Sequence, residues 1–473
     1  MHADQKIIQL LKACRAEELP ALRRYVASPY VNRQPVLSAL LDALWAHWPA
    51  FGPPVPDKST VYAALFPGSS FDDKRWRYLL SDLCALVEDF WVDVQQRADL
   101  YDRACRRLAV LSDRGVDKAI QGAQRQVERV LGDAQYRDVA FFAFAHRYHD
   151  QQHQHLTRNR QRKHDDTLQQ ASDYLDRFYF LEKLRYACAM LERRQILQGQ
   201  FREGIGEAWL QHLAEQAFFD EPLIRLYHLA LRMQLDEQDE RRYLLLRTAL
   251  GQTDAAYPPD EQQAIYQMAI NYCARKIRKG QAGYPEEALG LYTEGIAKGV
   301  LLHEGRLSPW TFTNVVKLAL RLQRFEWLEG FMAAYSALLP DAYRDNVLHY
   351  NMAELYFYTN RLPQAQLELL QVEMTDLNYY LGARVLLAKI YTEQGEEEAL
   401  LSLLAAFTVF LKRNKQISAD LKQTYLNFCR ILWQLVRAKP GQTARLAAEI
   451  QDTALLTDRA WLLGRVRLLG RAG

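Results

Sequence analysis

The stretch from Asn346 to Leu411 constrains the fold more than any other, because it repeats. Ala353-Glu354-Leu355-Tyr356 is followed by Asn360-Arg361-Leu362 and then by Ala365. The frame returns, 34 or 35 residues on, as Ala388-Lys389-Ile390-Tyr391, Gln394-Gly395 and Ala399. A small residue, an aromatic three positions later, a turn and a second small residue predict two helices in close antiparallel contact. Alanine lets the helices approach, and the tyrosine on the same face fills the groove between them. Such a hairpin cannot bury its apolar face alone, so it needs stacked neighbours.

These residues resemble the tetratricopeptide repeat. Ala353 and Ala388 occupy its first small position, Tyr356 and Tyr391 its aromatic, and Ala365 and Ala399 its second small position. Gly395 stands at the turn glycine, with Asn360, the other residue that tolerates a left-handed backbone, in the earlier copy. Both copies lack the leading Trp and the closing Pro of the family. Weaker echoes follow from Ala269-Ile270-Asn271-Tyr272 with Ala288, and from Phe325 with Leu328. The resemblance implies an all-α fold, a right-handed α-solenoid of helical hairpins preceded by an N-terminal helical cap region.

Helical spacing of apolar residues, with no useful period-two segment, extends the all-α expectation to the whole chain and predicts no strand. Residues 1–97 form the N-terminal helical region, 98–164 a helical connector, and 165–473 the repeat array. In the array, helical hairpins are expected in series, pairing 207–219 with 222–236, 240–251 with 260–279, and 286–299 with 309–323. They continue as 326–338 with 342–359, 362–373 with 376–394, 396–413 with 418–437, and a final pair, 442–454 with 457–469. Pro258-Pro259-Asp260, Ser308-Pro309 and Lys439-Pro440-Gly441 punctuate the loops.

Composition narrows the class. An apolar share of 49% is that of a globular chain, and a net charge of +3 over 473 residues gives no general attraction to nucleic acid or anionic membrane. The six cysteines stand apart, with no Cys-x-x-Cys pair, and are expected to be buried and reduced, as in a cytoplasm. Neither a signal peptide nor a membrane span is expected: the most apolar run, Ala399 to Leu411, falls short of the roughly 20 residues a spanning helix needs. No phosphate-binding glycine loop, His-Glu-x-x-His pair or nucleophile elbow occurs, so neither an enzymatic activity nor a cofactor is expected.

Three local features admit a sharper reading. Residues 59–90 outline a helix-turn-helix with Lys74, Arg75 and Arg77 near the start of its second helix, which would make the chain, as an alternative, a DNA-binding regulator with a tetratricopeptide-like sensor region. Asp72 and Asp73 stand where phosphate would approach, and a packed N-terminal cap is the expected role. His146, His149 and His153 share one helical face, but no carboxylate or cysteine joins them at matching spacing, so no metal site is expected. The basic run Arg158, Arg160, Arg162 and Lys163 is followed at once by Asp165 and Asp166 and reads as a solvated connector.

The expected function is a cytoplasmic, bacterial protein- or peptide-binding scaffold. In the repeats it resembles, the first helix of each hairpin lines a concave face. Alignment on Ala353 and Ala388 places Tyr350, Glu354, Phe357 and Tyr358 there from one repeat, and Val385, Lys389, Thr392 and Glu393 from the next. Tyr350 and Phe357 equally suit packing against the adjacent hairpin. Tyr358, Glu354, Lys389 and Glu393 are expected to face solvent.

Overall fold

Four corners of the chain pass through the left-handed region of backbone space, at Gly280, Gln323, Asn360 and Gly395 (φ +80°, +56°, +58° and +74°). Each closes a helix in the same way. The amide of the next residue reaches back five positions: Gln281 to the Lys276 carbonyl (3.1 Å), Arg324 to Ala319 (2.9 Å), Arg361 to Tyr356 (2.7 Å) and Glu396 to Tyr391 (2.9 Å). This hydrogen bond satisfies a carbonyl that the end of a helix would otherwise leave unpaired.

The computed structural model describes residues 6–49, 51, 57–158, 166–196, 201, 205–252, 257–373 and 377–471. Its helices are α1 (Lys6–Ala13), α2 (Leu19–Ala27), α3 (Val36–Trp45), α4 (Lys58–Leu65), α5 (Asp73–Ala98), α6 (Leu100–Arg114), α7 (Asp117–Gly132), α8 (Val139–Arg158), α9 (Thr167–Ile196) and α10 (Glu207–Ala214). There follow α11 (Pro222–Leu235), α12 (Glu240–Gln252), α13 (Pro259–Arg278), α14 (Tyr284–Ala297), α15 (Pro309–Arg321), α16 (Phe325–Tyr335) and α17 (Asp341–Tyr358). The chain closes with α18 (Leu362–Leu370), α19 (Leu377–Gln394), α20 (Glu397–Arg413), α21 (Ala419–Val436), α22 (Thr443–Asp452) and α23 (Arg459–Arg471). The protein is all-α. Among the described residues, no helix is long and apolar enough to cross a membrane.

One expectation is corrected. Leu302–His303 and Arg306–Leu307 form a minimal antiparallel hairpin, pairing Leu302 with Leu307 and His303 with Arg306. Glu304 and Gly305 both adopt positive φ (+50° and +74°), the backbone of a two-residue hairpin turn. Two residues per strand are too few to leave a period-two signal in a sequence.

The fold divides into two compact units, Met1–Tyr186 with Ile205–Ile224, and Ala187–Gly204 with Arg225–Gly473. The divisions fall inside α9 and α11; the basic run Arg160, Arg162 and Lys163 lies outside the described residues. In the first unit, α1 to α5 bury Leu11, Leu22, Val26, Leu40, Trp76 and Val87 in one core. A separate core under α6 to α8 holds Cys105, Leu108, Val127 and Phe144. All six cysteines of the chain are buried and unpaired.

In the second unit the corner at Asn360 joins α17 to α18, and that at Gly395 joins α19 to α20. Ala353 and Ala365 are fully buried where α17 meets α18. The tight hairpins are therefore α13–α14, α15–α16, α17–α18 and α19–α20, one helix out of phase with the series read from apolar spacing. That spacing locates helices but says nothing about which loop is tight. The leading helices of three successive hairpins, α15, α17 and α19, pack against one another in order.

Candidate functional site

A buried polar chain sets the register of these three helices. Asn351 on α17, fully buried, donates from Nδ2 to the Val347 carbonyl (2.7 Å) and to Thr313 Oγ1 on α15 (3.3 Å). Thr313 Oγ1 lies 2.9 Å from the Tyr379 hydroxyl at the start of α19, which donates to the Pro309 carbonyl (3.3 Å). Asn351 Oδ1 itself has no partner, but the bonds made by its Nδ2 and by the Thr313 and Tyr379 hydroxyls link α15, α17 and α19. At Gly382 on α19 a Cβ would come within 2.9 Å of the Tyr350 ring, so the glycine permits the α17–α19 approach.

Around that contact lies a cluster of charge and aromatic surface. The Tyr350 hydroxyl donates to Glu354 Oε1 (2.8 Å), while Glu354 Oε2 is enclosed and has no donor. Burial pushes the Glu354 carboxyl above the usual carboxylate range; Lys317, the Tyr350 hydroxyl and Lys389 pull it down, and the charge of Asp458 pushes it up further. Burial, then the neighbouring Glu354, holds the Tyr350 hydroxyl well above its ordinary value. Lys389 is only 6% exposed; its Nζ pairs with Asp458 Oδ1 at 2.8 Å. The same ammonium lies 4.8 Å from the Phe357 ring centroid and 5.7 Å from that of Trp461. Glu393 accepts from Trp461 Nε1 (3.0 Å) and from Arg465 Nη1 (2.7 Å).

The segment supplying Asp458, Trp461 and Arg465 is held firmly. The Arg459 guanidinium donates to the carbonyls of Ile450, Gln451 and Thr453 at the end of α22. Asp458 itself adopts φ +51°, a left-handed backbone that Asp tolerates better than most residues with a side chain.

The eight residues expected on the face therefore have different environments. Tyr358 is exposed (54%). Glu354 and Lys389 do not face solvent as expected, because neighbouring helices and the start of α23 close over them. Glu393 is exposed, as expected, and is paired with α23. Val385 is buried in the core with Leu381 and Leu400, since α19 is apolar on both sides of the Ala388 stripe. Thr392 Oγ1 donates to the Ala388 carbonyl (2.7 Å), and the residue borders a cavity of about 370 Å³ also lined by Leu400, Leu435, Arg465 and Leu468. Phe357 and Tyr350 pack against neighbouring helices. Sequence reasoning missed Lys317, Asn351, Asp458, Trp461 and Arg465. The i, i+3, i+7 spacing of the last three marks one helical face, but nothing local ties that face to Lys389.

The other candidates sit in the first unit. Asp72 caps α5 by accepting from the Lys74 and Arg75 amides (2.9 and 3.0 Å). Asp73 pairs with Lys58 (2.9 Å) and Arg77 (3.2 Å), and the Arg75 guanidinium lies 3.8 Å from the Phe66 ring centroid. His146 Nδ1 is 2.9 Å from the Ala171 carbonyl, and His149 stacks on Tyr174 with its imidazole pushed down by burial. Among the described residues, no three His, Cys, Asp or Glu side chains converge as a metal-holding group. No family model matches this chain, and neither a curated protein nor a solved structure matches it.

Proposed function

We propose that this chain is a helical-repeat scaffold whose second unit is a tetratricopeptide-like α-solenoid, and that it binds another protein or peptide without carrying out a reaction. The observation that carries the reading is the convergence of side chains from successive leading helices. Lys317 from α15, Tyr350, Glu354, Phe357 and Tyr358 from α17, and Lys389 and Glu393 from α19 come from hairpins closed by the same left-handed corner. Stacked hairpins of one shape generate an extended inner surface, and charge mixed with aromatic rings is the chemistry that recognises peptide segments. A cytoplasmic setting fits the six unpaired cysteines.

Lys317 and Tyr358 are exposed, so changing them tests binding without disturbing the core. Partners captured from the native host and identified by mass spectrometry are to be retained at least five-fold less by the double variant Lys317→Glu, Tyr358→Ala. Full retention by this folded variant excludes the inner face as the binding surface.

A further inference from the structure

We propose that residues 458–465 are a resident pseudo-ligand of the inner face, and that the partner bound there is a helical protein segment of the same chemistry. That segment carries a carboxylate, an aromatic residue three positions later and a cation four positions beyond it. The inference rests on the reading that this chain binds a protein or peptide.

The last helix has two separate sets of contacts. Leu462 and Val466 enter the core shared by α19 to α22 and would suffice to cap an array of helices. Asp458, Trp461 and Arg465 lie on another stripe of the same segment and match the inner face charge for charge. Asp458 meets Lys389, Arg465 meets Glu393, and Trp461 bridges the two with its ring toward the ammonium and its N–H on the carboxylate. Capping alone requires none of these. An ammonium as buried as Lys389 demands a carboxylate, whichever molecule supplies it.

Two features leave the resident segment imperfect. Asp458 meets Lys389 from a left-handed backbone, next to an Arg459 anchored to the end of α22. A segment from another protein has no such corner and can present its carboxylate unstrained. Asp458 also leaves Glu354 Oε2 without a donor. An incoming segment with a hydroxyl or amide beside its carboxylate would supply one.

The test uses the full chain and a fluorescent synthetic peptide with the sequence of residues 455–469. The opened variant W461A/R465Q keeps Leu462 and Val466 and is to bind the peptide at least ten-fold more tightly than the unaltered chain. Replacing the peptide's aspartate equivalent to Asp458 by asparagine, or adding Lys389→Met to the opened variant, is to remove that gain. Should W461A/R465Q lose its helicity, R465Q alone carries the same comparison. Equal affinity for the opened and unaltered chains, no detectable binding to either, or indifference to the aspartate overturns the proposal. If it falls while Lys317→Glu, Tyr358→Ala still lowers partner capture, the peptide-binding reading survives. If the unaltered chain captures nothing, that reading falls too.

Discussion

Glu354 shows what a buried carboxylate does to a helical array. Its upward shift means that folding makes the carboxyl harder to ionise, since burial outweighs the help of Lys317, Tyr350 and Lys389, with Asp458 opposing them. The linkage sign follows: such a group contributes stability that is fully present below its unfolded value, about pH 4.3. That contribution is lost as the pH rises through the folded value. Glu354→Gln is therefore expected to raise the melting temperature at pH 7, by a stability gain on the order of 1 kcal/mol. The gain should shrink to nothing near pH 4 in unfolding curves taken across that range, and a variant less stable at neutral pH would contradict this account. Lys389 has the opposite consequence. Lys389→Met leaves Asp458 without its cation and should cost about 2–3 kcal/mol in chemical denaturation, rather than the roughly 0.5 kcal/mol of a surface change. Both residues read as polar positions in the sequence, and that much was correct. Their burial was not legible, because it depends on α23, which begins 70 residues beyond Lys389.

At the scale of the element, the corners and the close helix crossings carry the argument. Gln323 holds φ +56° without the tolerance of Gly or Asn, its setting maintained by the Arg324–Ala319 hydrogen bond. Gln323→Gly should stabilise by about 0.5–1 kcal/mol, and Gly395→Ala should destabilise by about 1–2 kcal/mol, both measurable by denaturant titration. Asn360 and Gly395 announced their corners in the sequence. Gln323 could not, because its side chain has no preference for that backbone. Two helical glycines make a second comparison. A Cβ at Gly290 meets nothing within 4 Å, whereas at Gly382 it meets the Tyr350 ring at 2.9 Å. Gly290→Ala should gain up to about 1 kcal/mol from helix propensity. Gly382→Ala should fall below it by about 1–3 kcal/mol from overpacking, and equal melting shifts would show that α17 and α19 do not meet as described.

For the whole molecule, helicity should not depend on a metal. His146 is engaged with the Ala171 carbonyl and His149 with Tyr174. Circular dichroism and melting temperature should be unchanged in excess chelator, and a large drop would make His146, His149 and His153 ligands. At this scale the sequence alone determined the all-α class and the positions of most helices, since apolar spacing and Gly, Pro and Asn punctuation are local signals. It also marked Ala353, Ala365 and Ala388 as close-contact positions, because only a small side chain suits a tight crossing. Tertiary structure alone decided how the helices outside the Asn346–Leu411 repeat pair into tight hairpins, where the chain divides into two units, and which charged residues are buried. Those outcomes arise from contacts between residues far apart in the chain: Lys389 with Asp458, Glu393 with Arg465, and Thr313 with Tyr379. A lysine exposed on its own helix becomes buried only when a distant helix folds over it, and no periodicity within one segment records that.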